Sequence, residues 1–182
     1  LFRSIEENAP LVCHADLHLA VSRTNRYDFK TASASLGKWN ELPVAVPGLQ
    51  YWGQVKSSLG QHAAFQGCYE EAVNLFDEAI DAYGRLSDPK ICNKEIIQTS
   101  CYRAIAMMDG DAFSDDDVKN AVQEVTGDLT CAPPNLAAND FPASRYAHHL
   151  LMRWLIYRGD HSVQSSYMFC EEIDSPSDFR LI

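Results

Sequence analysis

The sequence predicts an all-α chain of antiparallel helix hairpins, and three observations carry that expectation. First, Tyr69, Ala72, Val73, Phe76, Ala79, Ile80 and Tyr83 recur at spacings of three and four, which puts them on one face of a helix. Glu70, Glu71, Asn74, Asp77, Glu78 and Asp81 fill the opposite face. Second, Gln50 to Phe65 reads as another helix, and only Gln66-Gly67-Cys68 separates the two patterns, so the helices must fold back on each other. Third, Gly60, Ala63, Ala64, Ala72 and Ala79 lack bulk where two such backbones approach, leaving Phe76 and Tyr69 to fill the gap. Gly84 stands where a helix commonly ends in the left-handed conformation.

Leu59-Gly60, followed by Ala72-x3-Phe76 and by Ala79 one turn on, matches the pattern W-x2-L-G-x2-Y, A-x3-F and a late Pro. On these residues the hairpin over Val55 to Ala82 resembles a tetratricopeptide unit. Lys56 stands where that family has Trp, Ala63 where it has Tyr, and Pro89 comes later than usual, so the second helix is expected to run about a turn long. The resemblance implies a right-handed superhelix of about three to four hairpins, forming one domain with a concave groove.

The other elements follow the same pattern less closely. Leu11 to Ser22 and Tyr27 to Leu42 flank the turn Arg23-Thr24-Asn25-Arg26, and Ala32 and Leu36 precede Ala72 and Phe76 by one interval. Pro43 and Pro47 then interrupt. Asn93 to Met108 reads as a helix carrying Ile96, Ile97, Cys101, Ile105 and Met108, and Ser114 caps a shorter one from Asp115 to Val125. Ser144 to Arg158 is helical in pattern, Gly159-Asp160 supplies a tight turn, and His161 to Ile173 makes its partner helix. Residues 126–143, with Pro133, Pro134 and Pro142, are expected to be a linker or a loop.

The formal net charge of −10 argues against nucleic acid and anionic membrane surfaces, both of which need a basic face. Six scattered cysteines without a C-x-x-C pair fit free thiols in a reducing compartment, hence a cytoplasmic protein. No apolar run approaches the ~20 residues of a membrane span. The chain starts without Met, which predicts a fragment of a longer protein.

His14-x-Asp16-x-His18 is the sharpest pattern with chemical content, since histidines four apart share a helix face and could hold a divalent ion. The motif lacks the Glu of the zinc-hydrolase helix and any evident third ligand, so surface histidine is the preferred reading and no metal is expected. His148-His149 are adjacent and point about 100° apart. Asp109, Asp111, Asp115, Asp116 and Asp117 lack the alternation and terminal Glu of a calcium loop and read as a solvated loop and cap. No nucleophile elbow, phosphate loop or dinucleotide fingerprint is present, so neither catalysis nor a cofactor is expected.

The expected function is a scaffold that binds a protein or peptide. Trp52, Lys56, Gln61 and Trp154 are the expected contact residues, with Leu59, Gly60, Ala72, Phe76 and Ala79 building the repeat. Trp39 and Tyr51 join the aromatic candidates, although a Trp more often plugs a gap between helices. Some tetratricopeptide proteins clamp chaperone tails through Lys, Asn and Arg on inner helices; here Ser57 and Gln61 stand where that clamp has its Lys and Asn. The alternatives are a ligand- or peptide-sensing domain of a larger, for example bacterial, regulator, and more distantly a metal-dependent enzyme using His14, Asp16 and His18.

Overall fold

The computed structural model describes residues 2–40, 49–127 and 141–159, and among these the fold is all-α. Seven helices run in order: α1 Phe2–Thr24, α2 Phe29–Asn40, α3 Leu49–Phe65, α4 Tyr69–Gly84, α5 Pro89–Asp109, α6 Asp115–Thr126 and α7 Phe141–Tyr157. They pack largely as adjacent pairs, α1 with α2, α3 with α4, and α5 with α6. The odd-numbered helices also touch in sequence, α1 to α3, α3 to α5 and α5 to α7, whereas α2, α4 and α6 do not touch one another among the described residues.

The first two hairpins turn in the same way. Cys68 N–H reaches back to Ala63 C=O (2.9 Å) and Gly67 N–H to Ala64 C=O (3.0 Å), with Gly67 at φ +78°, so α3 ends on a glycine in the left-handed region. Forty residues earlier, Asp28 N–H bonds Arg23 C=O (3.0 Å) and Tyr27 N–H bonds Thr24 C=O (2.9 Å), with Tyr27 at φ 62°. A tyrosine tolerates this conformation poorly, but its ring lies edge-on to Phe29 (6.0 Å between centroids) and Phe65 (6.4 Å). The spacing of Ala32 and Leu36 from Ala72 and Phe76 is thus matched by their turns.

Two glycines of α3 set its distance from α4. A methyl group on Gly60 would lie 2.7 Å from Phe76 Cε1, and one on Gly53 would lie 2.5 Å from Tyr83 Cε1. Ala72, Phe76 and Ala79 are buried behind them, and Leu59 packs toward the first hairpin with Leu17, Leu36, Trp39 and Val55. A larger core joins α4 to α7 through Phe76, Met107, Val118, Val122, Leu150 and Trp154.

A polar joint ties α3 to the first hairpin. His62 of α3, buried, holds Thr24 Oγ1 of α1 at its Nδ1 (2.9 Å) and Ser33 Oγ of α2 at its Nε2 (2.7 Å). One ring nitrogen donates and the other accepts, the hydroxyls taking the complementary roles. Both polar positions of the imidazole are therefore satisfied inside the fold, as a buried polar group requires.

Several expectations are corrected. Gly84 belongs to α4 and is not left-handed; Arg85, in the right-handed region, closes the helix with its N–H on Ala82 C=O, and Leu86 N–H bonds Tyr83 C=O. Helix α4 does not run long: Pro89 opens α5 instead, where its missing N–H costs nothing because a first-turn N–H has no helical partner. Helix α1 starts at Phe2, well before Leu11. Thr126 belongs to α6, and Pro142 lies in the first turn of α7. Residues 128–140 of the expected linker and the partner helix His161 to Ile173 lie outside the described residues.

Ser114 forms the expected cap and more: its hydroxyl oxygen accepts Asp117 N–H (3.2 Å), and the Asp117 carboxylate accepts first the Ser114 O–H (2.5 Å) and then the Ser114 N–H (3.2 Å), which together hold that carboxyl below its usual range. Two other aspartates of this acidic run, Asp109 and Asp115, are also structural. Asp109 takes a two-oxygen contact from Arg153 Nη2 (2.6 and 2.7 Å), and Asp115 accepts Tyr157 O–H (2.7 Å), tying α7 to both ends of the α5–α6 turn.

Candidate functional site

A groove of about 360 Å³ opens where α1, α3 and α5 lie side by side. Helix α1 contributes His14, Leu17, His18 and Val21; α3 contributes Gln54, Ser57, Ser58 and Gln61; α5 contributes Lys94, Glu95, Gln98, Thr99 and Tyr102, over a floor that includes Tyr83. Helical periodicity explains the α3 set, because residues 54, 57, 58 and 61 follow the three-and-four spacing of one face. That face is a quarter-turn from Gly53 and Gly60, which look at α4.

Amide and hydroxyl side chains share the lining with the apolar Leu17 and Val21 and the rings of Tyr83 and Tyr102. Gln54 Oε1 is buried and finds no hydrogen-bond partner among the described residues. Gln98 Nε2 donates to Tyr146 O–H on α7 (2.9 Å) and more distantly to Tyr102 O–H (3.3 Å), fixing the α5 wall. One cation, Lys94, and one anion, Glu95, face the groove, so it carries little of the chain's net negative charge. Burial, with a smaller contribution from Glu95, pushes the Tyr83 phenol far above its usual range, so it stays neutral.

Of the expected contact residues, only Gln61 lines this groove. Lys56 points the other way: its ammonium pairs with Glu78 of α4 (2.8 Å) and sits 4.6 Å from the Trp52 ring centroid, with a side chain only 10% exposed. Trp52 is half-buried under that ammonium, and Trp154 is buried in the larger core, stacked on Tyr157 at 5.7 Å. Sequence reading missed Gln54, Ser58, Gln98 and Tyr102, although Gln54 and Gln61, seven residues apart, carry a usable signal of a shared face.

The His14, Asp16, His18 set does not converge. His14 and His18 meet, Nε2 to Nε2 at 3.0 Å, but Asp16 accepts Trp39 Nε1–H (3.0 Å) and pairs with Lys38 (3.3 Å) on α2. Among the described residues no three His, Cys, Asp or Glu side chains gather around one point. Four cysteines there are free thiols; burial and then nearby Asp16 push the Cys13 thiol up to about 11, and burial raises Cys101 further. No described helix is long and apolar enough to cross a membrane.

Comparison with protein-family models, curated proteins and solved structures returns no match to the chain.

Proposed function

We propose that this chain is a tetratricopeptide-like scaffold that holds a peptide or protein segment in the groove of α1, α3 and α5. The observation that carries the reading is the row of neutral hydrogen-bonding side chains there, above all the unpartnered Gln54 Oε1. Peptide backbone presents one donor and one acceptor per residue, and side-chain amides can answer both. Contact of odd-numbered helices with one another, and the glycine–aromatic approach inside α3–α4, support the repeat reading.

The test is selection of a random peptide library displayed on phage against the chain, followed by binding to the Gln54→Ala/Gln61→Ala variant. Enriched peptides that bind this variant about tenfold more weakly, one lost hydrogen-bonded pair's worth, are the expected result. No enrichment, or peptides indifferent to the variant, would overturn it.

A second reading, a ligand-sensing domain, draws on the groove's size. At about 360 Å³ it is large enough for a small molecule. A thermal-shift screen of small metabolites that gives hits abolished in the same variant would select that reading over the peptide.

A further inference from the structure

The scaffold reading leaves one chemically capable pair unused. His14 and His18 lie one turn apart on the exposed side of α1, at the edge of the groove. Burial of Cys13, Leu17 and Ala20 fixes the rotation of the helix and so the direction of both imidazoles. The rings stand edge-on, 4.3 Å between centroids and 84° between planes, with Nε2 atoms 3.0 Å apart.

That separation is informative. Two nitrogens about 2.1 Å from one ion and at right angles to each other are about 3.0 Å apart, whereas tetrahedral ligands are about 3.4 Å apart. We propose that His14 and His18 form a two-imidazole site for a divalent transition-metal ion, binding Cu(II) more tightly than Ni(II) or Zn(II). Right-angled geometry favours Cu(II) and Ni(II) over Zn(II), and the general affinity order of nitrogen ligands puts Cu(II) above both. Without an ion, one Nε2–H donates to the other Nε2; on binding, that proton moves to Nδ1 and both Nε2 lone pairs face the metal.

Asp16 is held by Trp39 and Lys38, so the remaining coordination positions fall to water. The ion would sit at the groove's rim with those positions exchangeable. The site stands on the geometry of α1 alone, whatever the groove holds.

The experiment is titration of the full chain with Cu(II) alone, followed by calorimetry and by melting temperature in a non-chelating buffer. A saturable binding step is expected, with a rise of about 3–6 °C at ion concentrations some tenfold above the dissociation constant. His14→Ala and His18→Ala should each weaken that step at least tenfold while the metal-free circular dichroism stays unchanged. A control keeps two histidines but breaks their alignment: His18→Ala combined with Leu19→His, at a half-exposed position, should not restore binding. Absence of saturable binding, or undiminished affinity in the single variants or in the displaced pair, would overturn the proposal.

Discussion

The ring of Tyr83 occupies the space a side chain on Gly53 would need: a methyl group there would lie 2.5 Å from Cε1 and 2.8 Å from Cδ1 and Cζ. Tyr83 is fully buried and cannot swing away. In an exposed helix, Gly→Ala stabilises by about 1 kcal/mol. Here the overlap should reverse the sign, and Gly53→Ala is expected to cost about 1–3 kcal/mol, as overpacking does. Urea unfolding measures it, and Tyr83→Leu in the same chain should recover part of the loss through a favourable coupling.

The Lys56 ammonium is held between Glu78 and the Trp52 ring. Lys56→Ala is therefore expected to lower stability by about 1–2 kcal/mol, mostly through lost packing of its aliphatic stem. Glu78→Gln should cost less, under about 1 kcal/mol, because Glu78 is half-exposed and water screens the pair. Peptides selected on the groove should bind both variants normally, which the binding assay above reads directly.

His62 makes the joint between the first two hairpins sensitive to acid. Burial lowers its folded-state value below 6.5, with Glu71 opposing in part. The unfolded chain therefore takes up the proton first: this contribution to stability is full above about pH 6.5 and declines as pH falls toward the lowered folded value. His62→Gln, which can still bond Thr24 and Ser33, should lose less melting temperature between pH 7.5 and 5.5 than the parent chain does. Equal losses would count against the joint.

Thiol labelling should separate the cysteines by environment. Cys68 is exposed in the α3–α4 turn, while Cys13 and Cys101 are buried. With its thiol pushed up from 9.0 to about 11, Cys13 carries about a hundredfold less thiolate at a given pH than an ordinary thiol. Mass mapping after a short pulse of iodoacetamide at pH 8 should find Cys68 modified, and Cys13 and Cys101 only after urea.

The helices were legible because periodicity of three and four survives wherever one face is buried: Tyr69 to Tyr83 and Asp115 to Val125 differ from α4 and α6 by a single terminal residue. Ends governed by backbone geometry were harder. Gly84 looked like a left-handed cap, but the chain closes α4 with Arg85, and Tyr27 takes a conformation that composition gives no reason to assign to it. Gly60 was recognisable from its neighbours in a familiar pattern; Gly53, with the tighter approach, lies outside that pattern. The groove was the least visible part, because it needs three helices from different hairpins at once, and Lys56 and Gln61, five residues apart, face different ways.

Gly53 and Gly60 are each followed at once by a glutamine, and this repeated dipeptide couples two requirements. The glycine sets how closely α3 is pressed to α4, and the next residue, about 100° further round, inherits its bearing toward the groove. Gln54 and Gln61 thus stand as two rungs about 10.5 Å apart, nearly the length of three residues of extended chain. Anything that widens the contact beneath the first rung also turns it, so the spacing of the rungs is a dimension fixed by side chains that never reach the groove.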